Sequence, residues 1–261
     1  IGAGAAGLMA GATAALYGAS VTIIEKNKRV GRKIMITGKG RCNLANNCDV
    51  QTFINNVPVN GRFLYSAINA FTPEDTIEFF ESKGLKTKTE RGNRVFPASD
   101  KSVDVVDTMH DYAVESGCKI VCDTANALIL EDGAVIGVKC EENTYYADSV
   151  IICCGGKSYP LTGSTGDGYT LAKQAGHTIV PLKPSLVPFT SGDKQCKDMQ
   201  GLALKNVALR IVDKNSKKTV YSDFGEMLFT HFGMSGPMIL SASSHIRDIQ
   251  PDRYIAEIDL K

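Results

Sequence analysis

Three glycines near the start of the chain have the spacing of a dinucleotide-binding turn, Gly2-x-Gly4-x-x-Gly7. In such a turn the first glycine allows a tight bend, the second lets backbone approach a pyrophosphate, and the third lets helix pack on strand. The amides of Ala5 and Ala6 would then face an anion at the positive end of the helix dipole. A helix start that packs through small residues would show the same pattern, so the spacing needs support from its surroundings.

That support comes from the strand predicted over Ser20–Glu25, which ends on an acid. A carboxylate at this position can accept both ribose hydroxyls of an adenosine. It also repels a 2′-phosphate, so Glu25 predicts FAD or NAD rather than NADP. Lys26, the next residue, is included in the predicted cofactor site. The alternative is a surface Glu25 beside a helix-packing site.

A second glycine-rich stretch, Gly31–Asn43, carries basic residues. Two glycines of this stretch, beside Lys33, Lys39 and Arg41, could form a cradle for a phosphate, a ribityl chain or an anionic flavin ring. Arg41 offers a planar fork of donors, and Asn43 could pair with polar ring edges. A solvated basic loop is the alternative interpretation.

A third stretch, Cys154–Gly168, follows a predicted strand over Ala147–Cys154 and is again rich in glycine. An apolar strand that runs into such a loop suits a second approach of backbone to the same cofactor. Asp167 could orient a hydroxyl group or cap the helix that follows it.

The fourth motif is Phe229–Pro237, which places His231 and Ser235 in a loop before a helix. His231 is the candidate catalytic residue, although turn and capping roles suit this loop as well. The eight cysteines include no CxxC pair and no Cys/His set with zinc-finger spacing. We therefore expect buried free thiols and no metal site.

Local signals indicate which elements position these motifs. An alanine-rich helix should follow Gly7, and Thr72 with Pro73 should start a helix that stops at Gly84. Another helix is expected to start at Ser99 or Asp100. Short strands follow from Lys119 to Cys154, and beyond Pro188 the pattern alternates without a βαβ rhythm.

Composition restricts the partners. Lys plus Arg number 29 against 28 acids, for a net charge of +1, which argues against a general polyanion binder and makes nucleic acid an unexpected partner. The first charged residue is Glu25, so the basic region of a signal peptide is not seen. No apolar run approaches the roughly 18 residues of a membrane span. We expect a soluble, cytoplasmic protein without membrane association.

Five sequence blocks together resemble one bacterial flavoprotein family. GAGAAG, GRKIMITGKGRCN, GGKSYPLTGSTGDGYTLAKQAGH, LVPF and FTHFGMSGP occur in the order typical of NAD(P)/FAD-dependent oxidoreductases, which include bile-acid reductase-like and aminoacetone oxidase-like proteins. The resemblance implies an α/β fold: a glutathione-reductase-type Rossmann domain with a β-meander, which binds extended FAD, and a β-rich inserted second domain. It assigns residues 1–187 to the FAD-binding domain and 188–261 to the inserted domain, and implies a chain truncated at both ends.

The resemblance also implies contacts by position. Gly2, Gly4 and Gly7 would meet the pyrophosphate, and Glu25 the ribose; Lys33, Gly40, Arg41, Cys42 and Asn43 would lie toward the flavin, and Gly155, Gly156 and Gly166 in the second contact loop. Ala5, Ala6, Lys26, Cys154 and Asp167 complete the predicted set. The usual Ala-Thr-Gly of the second contact is Cys153-Cys154-Gly155 here, and the adenine contact within Asp123–Ala127 is unplaced.

The predicted function is hydride transfer between a small organic substrate and FAD, with NAD(P)H as a candidate electron donor. Two alternatives stay open: an NAD-dependent dehydrogenase without flavin, and a non-catalytic flavin- or RNA-binding module. The sequence indicates neither the substrate nor the oligomeric state.

Overall fold

The computed structural model describes residues 1–246 and 248–260. The chain divides into two compact units. The first comprises residues 1–54 and 63–180, and the second comprises residues 55–62 and the chain from Pro181 onward. The predicted domain boundary after residue 187 stays a prediction.

Through residue 180 the helices and strands are α1 (Ala5–Leu16), β1 (Thr22–Glu25), α2 (Arg32–Ile36), β2 (Ala45–Asn46), α3 (Val50–Asn55), α4 (Tyr65–Ala70), α5 (Pro73–Ser82), β3 (Thr87–Glu90), β4 (Arg94–Pro97), α6 (Ser102–Glu115), β5 (Lys119–Cys122), β6 (Ala125–Glu131), β7 (Ala134–Cys140), β8 (Thr144–Tyr146) and α7 (Asp167–Gln174). Short 3₁₀ turns lie at Thr37–Gly40, Gly61–Leu64 and Pro160–Thr162.

The Rossmann-type half of the first unit is built on β1 and β5, which pair in parallel with Glu25 opposite Cys122. Helices α1 and α6 bury apolar residues in one cluster with β1, among them Leu8 and Met109. Gly7 allows the first turn of α1 to lie close to the backbone of Gly2, because a Cβ at Gly7 would lie 1.7 Å from the carbonyl oxygen of Gly2. Strands β6, β7 and β8 form the predicted antiparallel meander.

The cap of α5 is the one that the sequence predicts. The hydroxyl of Thr72 accepts a hydrogen bond from the Asp75 amide, and the Asp75 carboxylate accepts one from the Thr72 amide. Pro73 is the first helical residue. Such a reciprocal cap satisfies amide donors that otherwise lack partners at a helix start.

One predicted helix start and one predicted strand are wrong. Helix α6 begins at Ser102 rather than at Ser99 or Asp100, because Asp100 has a φ of +57° and binds Lys88. The predicted strand over residues 147–154 is irregular. Ile1 bonds to this segment through its amino group, which donates to the Ile151 carbonyl, and its carbonyl, which accepts from Cys153. Because Ile1 alone pairs with residues 151 and 153, no continuous ladder of strand hydrogen bonds forms here.

The second unit is rich in β-structure. Its elements are β9 (Phe189–Thr190), α8 (Lys194–Asp198), β10 (Ala203–Asp213), β11 (Thr219–Thr230), β12 (Gly233–Ser235), α9 (Pro237–His245) and β13 (Tyr254–Asp259). The antiparallel sheet has the order β13-β10-β11-β12-β9. Alternate residues of β10, including Leu209 and Ile211, are buried in one cluster with Ile239 of α9.

Candidate cofactor-binding site

A cavity of about 900 Å³ lies in the first unit, lined by the N-terminus of α1, the carboxyl end of β1 and residues of α5 and α6. Its volume is near the upper end of the usual range for small-molecule sites. Ligands of open α/β sheets bind outside the carboxyl ends of the strands, and Glu25 marks that end here.

The glycine turn gives this cavity an open polar floor. Gly2 has a φ of +98°, and its amide donates to the Ile24 carbonyl at 2.7 Å. A Cβ at Gly4 would meet no atom within 4 Å, and Gly4 lines the cavity together with Ala5 and Ala6. Helix α1 has no side-chain cap and no acid in its first turn. Its amides therefore suit an anionic group held in the cavity.

Glu25 lines the cavity and also fixes the turn. One carboxylate oxygen accepts a hydrogen bond from the Ala3 amide at 2.7 Å. The other accepts from the Asn27 amide at 2.9 Å and from its side-chain nitrogen at 2.6 Å. A carboxylate offers about four acceptor positions, so most are used within the protein.

Basic side chains that follow β1 hold the loop of residues 157–167. Lys26 Nζ donates to Asp167 at 2.5 Å and to the Thr165 hydroxyl at 2.7 Å. Lys33 Nζ donates to the Ser158 hydroxyl at 3.1 Å. Burial opposes ionisation of Asp167, but the hydrogen bonds from Lys26 and Thr165 keep the pKa of that carboxyl below its usual value.

The GKGRCN stretch contributes only part of its predicted set to the cavity. Cys42 and Asn43 line it, whereas Gly40 and Arg41 are not among its lining residues. Arg41 instead donates to Glu90 at 2.7 Å. Burial raises the pKa of the Cys42 thiol.

The second contact loop is divided in the same way. Cys154 and Gly155 line the cavity, together with Cys153, and burial raises the pKa of the Cys154 thiol. Gly156 and Gly166 lie outside the lining: Gly156 packs near the Tyr169 hydroxyl, and Gly166 precedes α7 with a φ of +94°.

The structure also places residues that sequence reasoning missed. Asp123, Thr124 and Ala125 line the cavity, so the unplaced segment does reach it. Their signal is topological, because they follow β5, whose carboxyl end lies beside that of β1. Asp123 accepts hydrogen bonds from the Glu142 and Asn143 amides, both at 3.1 Å, which ties the meander to this edge.

An apolar wall completes the lining: Ile34, Leu44, Phe80, Val105 and Met109. All five are ordinary apolar side chains, so nothing in the local sequence marks them as site residues.

His231, the catalytic candidate, belongs to the second unit and lies exposed in the turn between β11 and β12. Its ring packs edge-on against that of Phe232, with the two ring centroids 4.9 Å apart. The glycine of the same motif has a packing role, since a Cβ at Gly233 would lie 2.2 Å from the Phe189 carbonyl oxygen. The motif therefore shapes a tight turn, and the role of His231 stays a prediction.

Within residues 1–246 and 248–260, no group of three or more His, Cys, Asp or Glu residues could hold a metal ion. The same part of the chain contains no helix that is both long and apolar enough to cross a membrane.

Comparison with known proteins identifies relatives over almost the whole chain. The chain is 31% identical, over 94% of its length, to a 3-dehydro-bile acid delta(4,6)-reductase of Clostridium scindens, and the match covers 59% of that protein. It is 30% identical over 98% of its length to a ribosomal RNA dihydrouridine synthase of Escherichia coli, covering 62% of it. The chain thus spans about three fifths of these relatives.

Among solved structures, Mycobacterium smegmatis Sdh1 in complex with UQ1 matches 67% of this chain and 37% of that chain, with 19% identity and a TM-score of 0.49. A sequence model described as the HI0933-like protein Rossmann domain matches residues 1–242. The resemblance to bile-acid reductase-like flavoproteins is confirmed. The chain belongs to the HI0933-like Rossmann-domain family.

Proposed function

We propose that the cavity of the first unit binds FAD and that the protein is a flavin-dependent oxidoreductase. One observation carries the proposal: the open position at Gly4, on the uncapped N-terminus of the 12-residue helix α1, faces a cavity of about 900 Å³. A pyrophosphate needs such an approach to backbone amides. Family membership and the two reductive relatives support the same assignment.

The chain's own residues suggest how the cofactor would lie. The amides of Ala5 and Ala6 would bind the pyrophosphate. Because Glu25 already accepts three hydrogen bonds from the protein, we propose that it accepts one ribose hydroxyl rather than two. The apolar wall and Cys42 would exclude water from the ring system. Bound FAD would supply hydride transfer, and the protein would supply orientation and electrostatics.

The proposed substrate carries a carbon–carbon double bond near a carbonyl group. The names of both relatives denote saturation of such a bond, in a 3-dehydro-bile acid and in a uridine. Saturation adds one hydride and one proton, and we propose NADH or NADPH as the source of the hydride. We also propose His231 as a proton donor. Activity that is unchanged after His231→Ala would remove His231 from the mechanism.

Nucleic acid is the second substrate class, because one relative modifies ribosomal RNA. The net charge of +1 favours the small molecule instead. Turnover of a steroid enone and of a uridine-containing RNA, measured side by side, distinguishes the two. Retention of RNA that falls with rising salt, without turnover, would favour the binding module.

FAD binding is tested by titration of the protein with FAD, followed by changes in flavin fluorescence. Gly4→Val is the decisive variant: Gly4 has a φ of −85° and open space around it, so valine fits the fold but obstructs the cavity. Gly192→Val is the matched control, at another glycine with nothing within 4 Å and outside the lining. We expect loss of binding in Gly4→Val alone.

Anaerobic mixing of the FAD-loaded protein with NADH or NADPH then identifies the electron donor. A protein that binds NADH tightly but no FAD would overturn the proposal in favour of the flavin-free dehydrogenase. Equal FAD affinity in Gly4→Val and in the wild type would overturn the proposed position of the pyrophosphate.

A further inference from the structure

The loop of residues 37–43 has an uncommon backbone. Gly38, Lys39, Gly40 and Cys42 all have positive φ, at +55°, +59°, +84° and +60°. Lysine and cysteine rarely adopt this left-handed conformation, so other interactions must hold the loop. The loop ends in Cys42 and Asn43, which line the proposed FAD cavity.

The side chain of Arg41 supplies interactions of that kind. Its guanidinium donates to Glu90 at 2.7 Å and lies 3.3 Å from a carboxylate oxygen of Asp100. Lys88 binds Asp100 at 2.5 Å, so two cations and two carboxylates form one network, which joins Arg41 to β3 and to the residue Asp100 beyond β4. The hydrogen bond from Arg41 lowers the pKa of Glu90, which keeps this partner ionised.

An aromatic ring connects the network to the loop. The guanidinium carbon of Arg41 lies 3.9 Å from the ring centroid of Phe96, which is 3% exposed. The same ring lies close to the loop at Gly38, where an added Cβ would come within 3.1 Å of it. Phe96 therefore packs against Arg41 and leaves no room for a side chain at Gly38.

The end of the loop is joined to the same sheet. With its amide oriented to satisfy its neighbours, Asn43 donates to the carbonyl oxygens of Val95 and Ala45 at 3.1 and 2.9 Å. The Cys42 amide donates to the Thr37 carbonyl at 3.0 Å and closes the loop. The loop is thus fixed at both ends, and Arg41 fixes its middle.

We infer that Arg41 is a positioning residue, which holds the 37–43 loop through Glu90 and Phe96 so that Cys42 and Asn43 face the cofactor. This inference rests on the proposed function for its binding readout. It differs from direct recognition, in which the guanidinium would touch the cofactor itself. A lysine retains the charge of Arg41 but not its planar fork or its stacking, so the two roles respond differently to Arg41→Lys.

The first experiment needs no cofactor. Alkylation of Cys42 by iodoacetamide is followed by peptide mass spectrometry in the wild type, Arg41→Ala, Arg41→Lys, Glu90→Ala and the control Arg91→Ala, an exposed residue of the same hairpin. We expect Cys42 to react several-fold faster in the first three variants and at the wild-type rate in Arg91→Ala. Cys118, buried elsewhere in the unit, reports general unfolding and should stay protected.

The second experiment measures FAD affinity in the same proteins. Arg41→Ala and Glu90→Ala should each weaken FAD binding about tenfold, as for one lost charged hydrogen bond. The double variant should bind FAD no more weakly than either single variant, because both substitutions remove the same restraint. Arg41→Lys should bind FAD little better than Arg41→Ala does.

Weakened binding in Arg41→Ala with wild-type binding in Glu90→Ala, or full recovery in Arg41→Lys, would overturn the inference in favour of direct contact. Alkylation of Cys42 at the wild-type rate in the Arg41 and Glu90 variants would overturn the inference as well. If Arg41→Ala exposes Cys118, the milder Arg41→Lys carries the test. A wild type that binds no FAD refutes the proposed function, whereas the thiol rates still test the loop.

Discussion

Glu25 shows how one side chain can serve both structure and binding. It is 9% exposed, and its carboxylate accepts hydrogen bonds from Ala3 and Asn27 while it lines the cavity. A buried carboxylate in this setting is stabilised by donors from the backbone. Its position at the end of β1 was predictable, but its bond to the glycine turn was not.

Glu25→Gln is expected to weaken FAD binding about tenfold, because the ribose hydroxyl loses a charged acceptor. The measurement is a fluorescence titration at a temperature where both proteins are folded. Glu115→Gln, at the exposed end of α6, is the control and should bind like the wild type. Unchanged affinity in Glu25→Gln would place the ribose elsewhere.

The cavity thiols provide a pH-dependent test. Burial raises the pKa of Cys42 and Cys154, so both are protonated at neutral pH and become reactive only as the pH rises through these raised values. Alkylation should therefore be slow at neutral pH, faster in alkaline solution, and suppressed by FAD. Exposed Cys122 is the comparator in the same digest. Equal labelling of Cys42 and Cys122 at neutral pH would contradict the prediction.

At the scale of elements, the loop of residues 157–167 depends on the segment that follows β1. The pair of Lys26 and Asp167, with side chains 26% and 40% exposed, is too accessible to contribute more than about 1 kcal/mol to folding. Its consequence should instead be kinetic, since it joins two segments that border the same cavity.

Lys26→Met is therefore expected to speed the release of FAD several-fold while the free energy of unfolding changes by less than about 1 kcal/mol. Stopped-flow displacement measures the rate, and salt should accelerate release in the wild type more than in the variant. Lys173→Met, exposed on α7 outside the lining, is the control. Release at the wild-type rate would show that the ion pair does not restrain this loop.

At the scale of the whole molecule, the apolar side chains of residues 1–246 and 248–260 form separate clusters. One belongs to the second unit and includes Leu209, and two belong to the first. Leu209 is 0% exposed, so its truncation leaves a cavity in the sheet–helix core.

Leu209→Ala should destabilise the second unit by about 2–5 kcal/mol. Below the unfolding transition, FAD affinity should match that of the wild type, because the proposed site lies in the first unit. Calorimetry and a flavin titration measure the two quantities. Leu202→Ala, at a residue 46% exposed, should change neither. A parallel loss of FAD affinity in Leu209→Ala would show that the second unit supports the site.

The sequence by itself determined what depends on neighbours along the chain. The spacing of Gly2, Gly4 and Gly7 specifies the turn that leads into α1, and Thr72 with Pro73 specifies a capped helix start. Such features follow from backbone conformational limits and local hydrogen bonds. The β-rich character of the second unit was likewise readable from alternation in β10.

Only the tertiary structure decided where side chains point. The type and position of Arg41 predict a cofactor contact, and the tertiary structure pairs its side chain with Glu90, 49 residues away in sequence. Asp123 reaches the cavity because β5 lies parallel to β1, a pairing that residue spacing does not encode. A charged side chain is directed to the partner that best compensates its desolvation, and that partner is set by the fold.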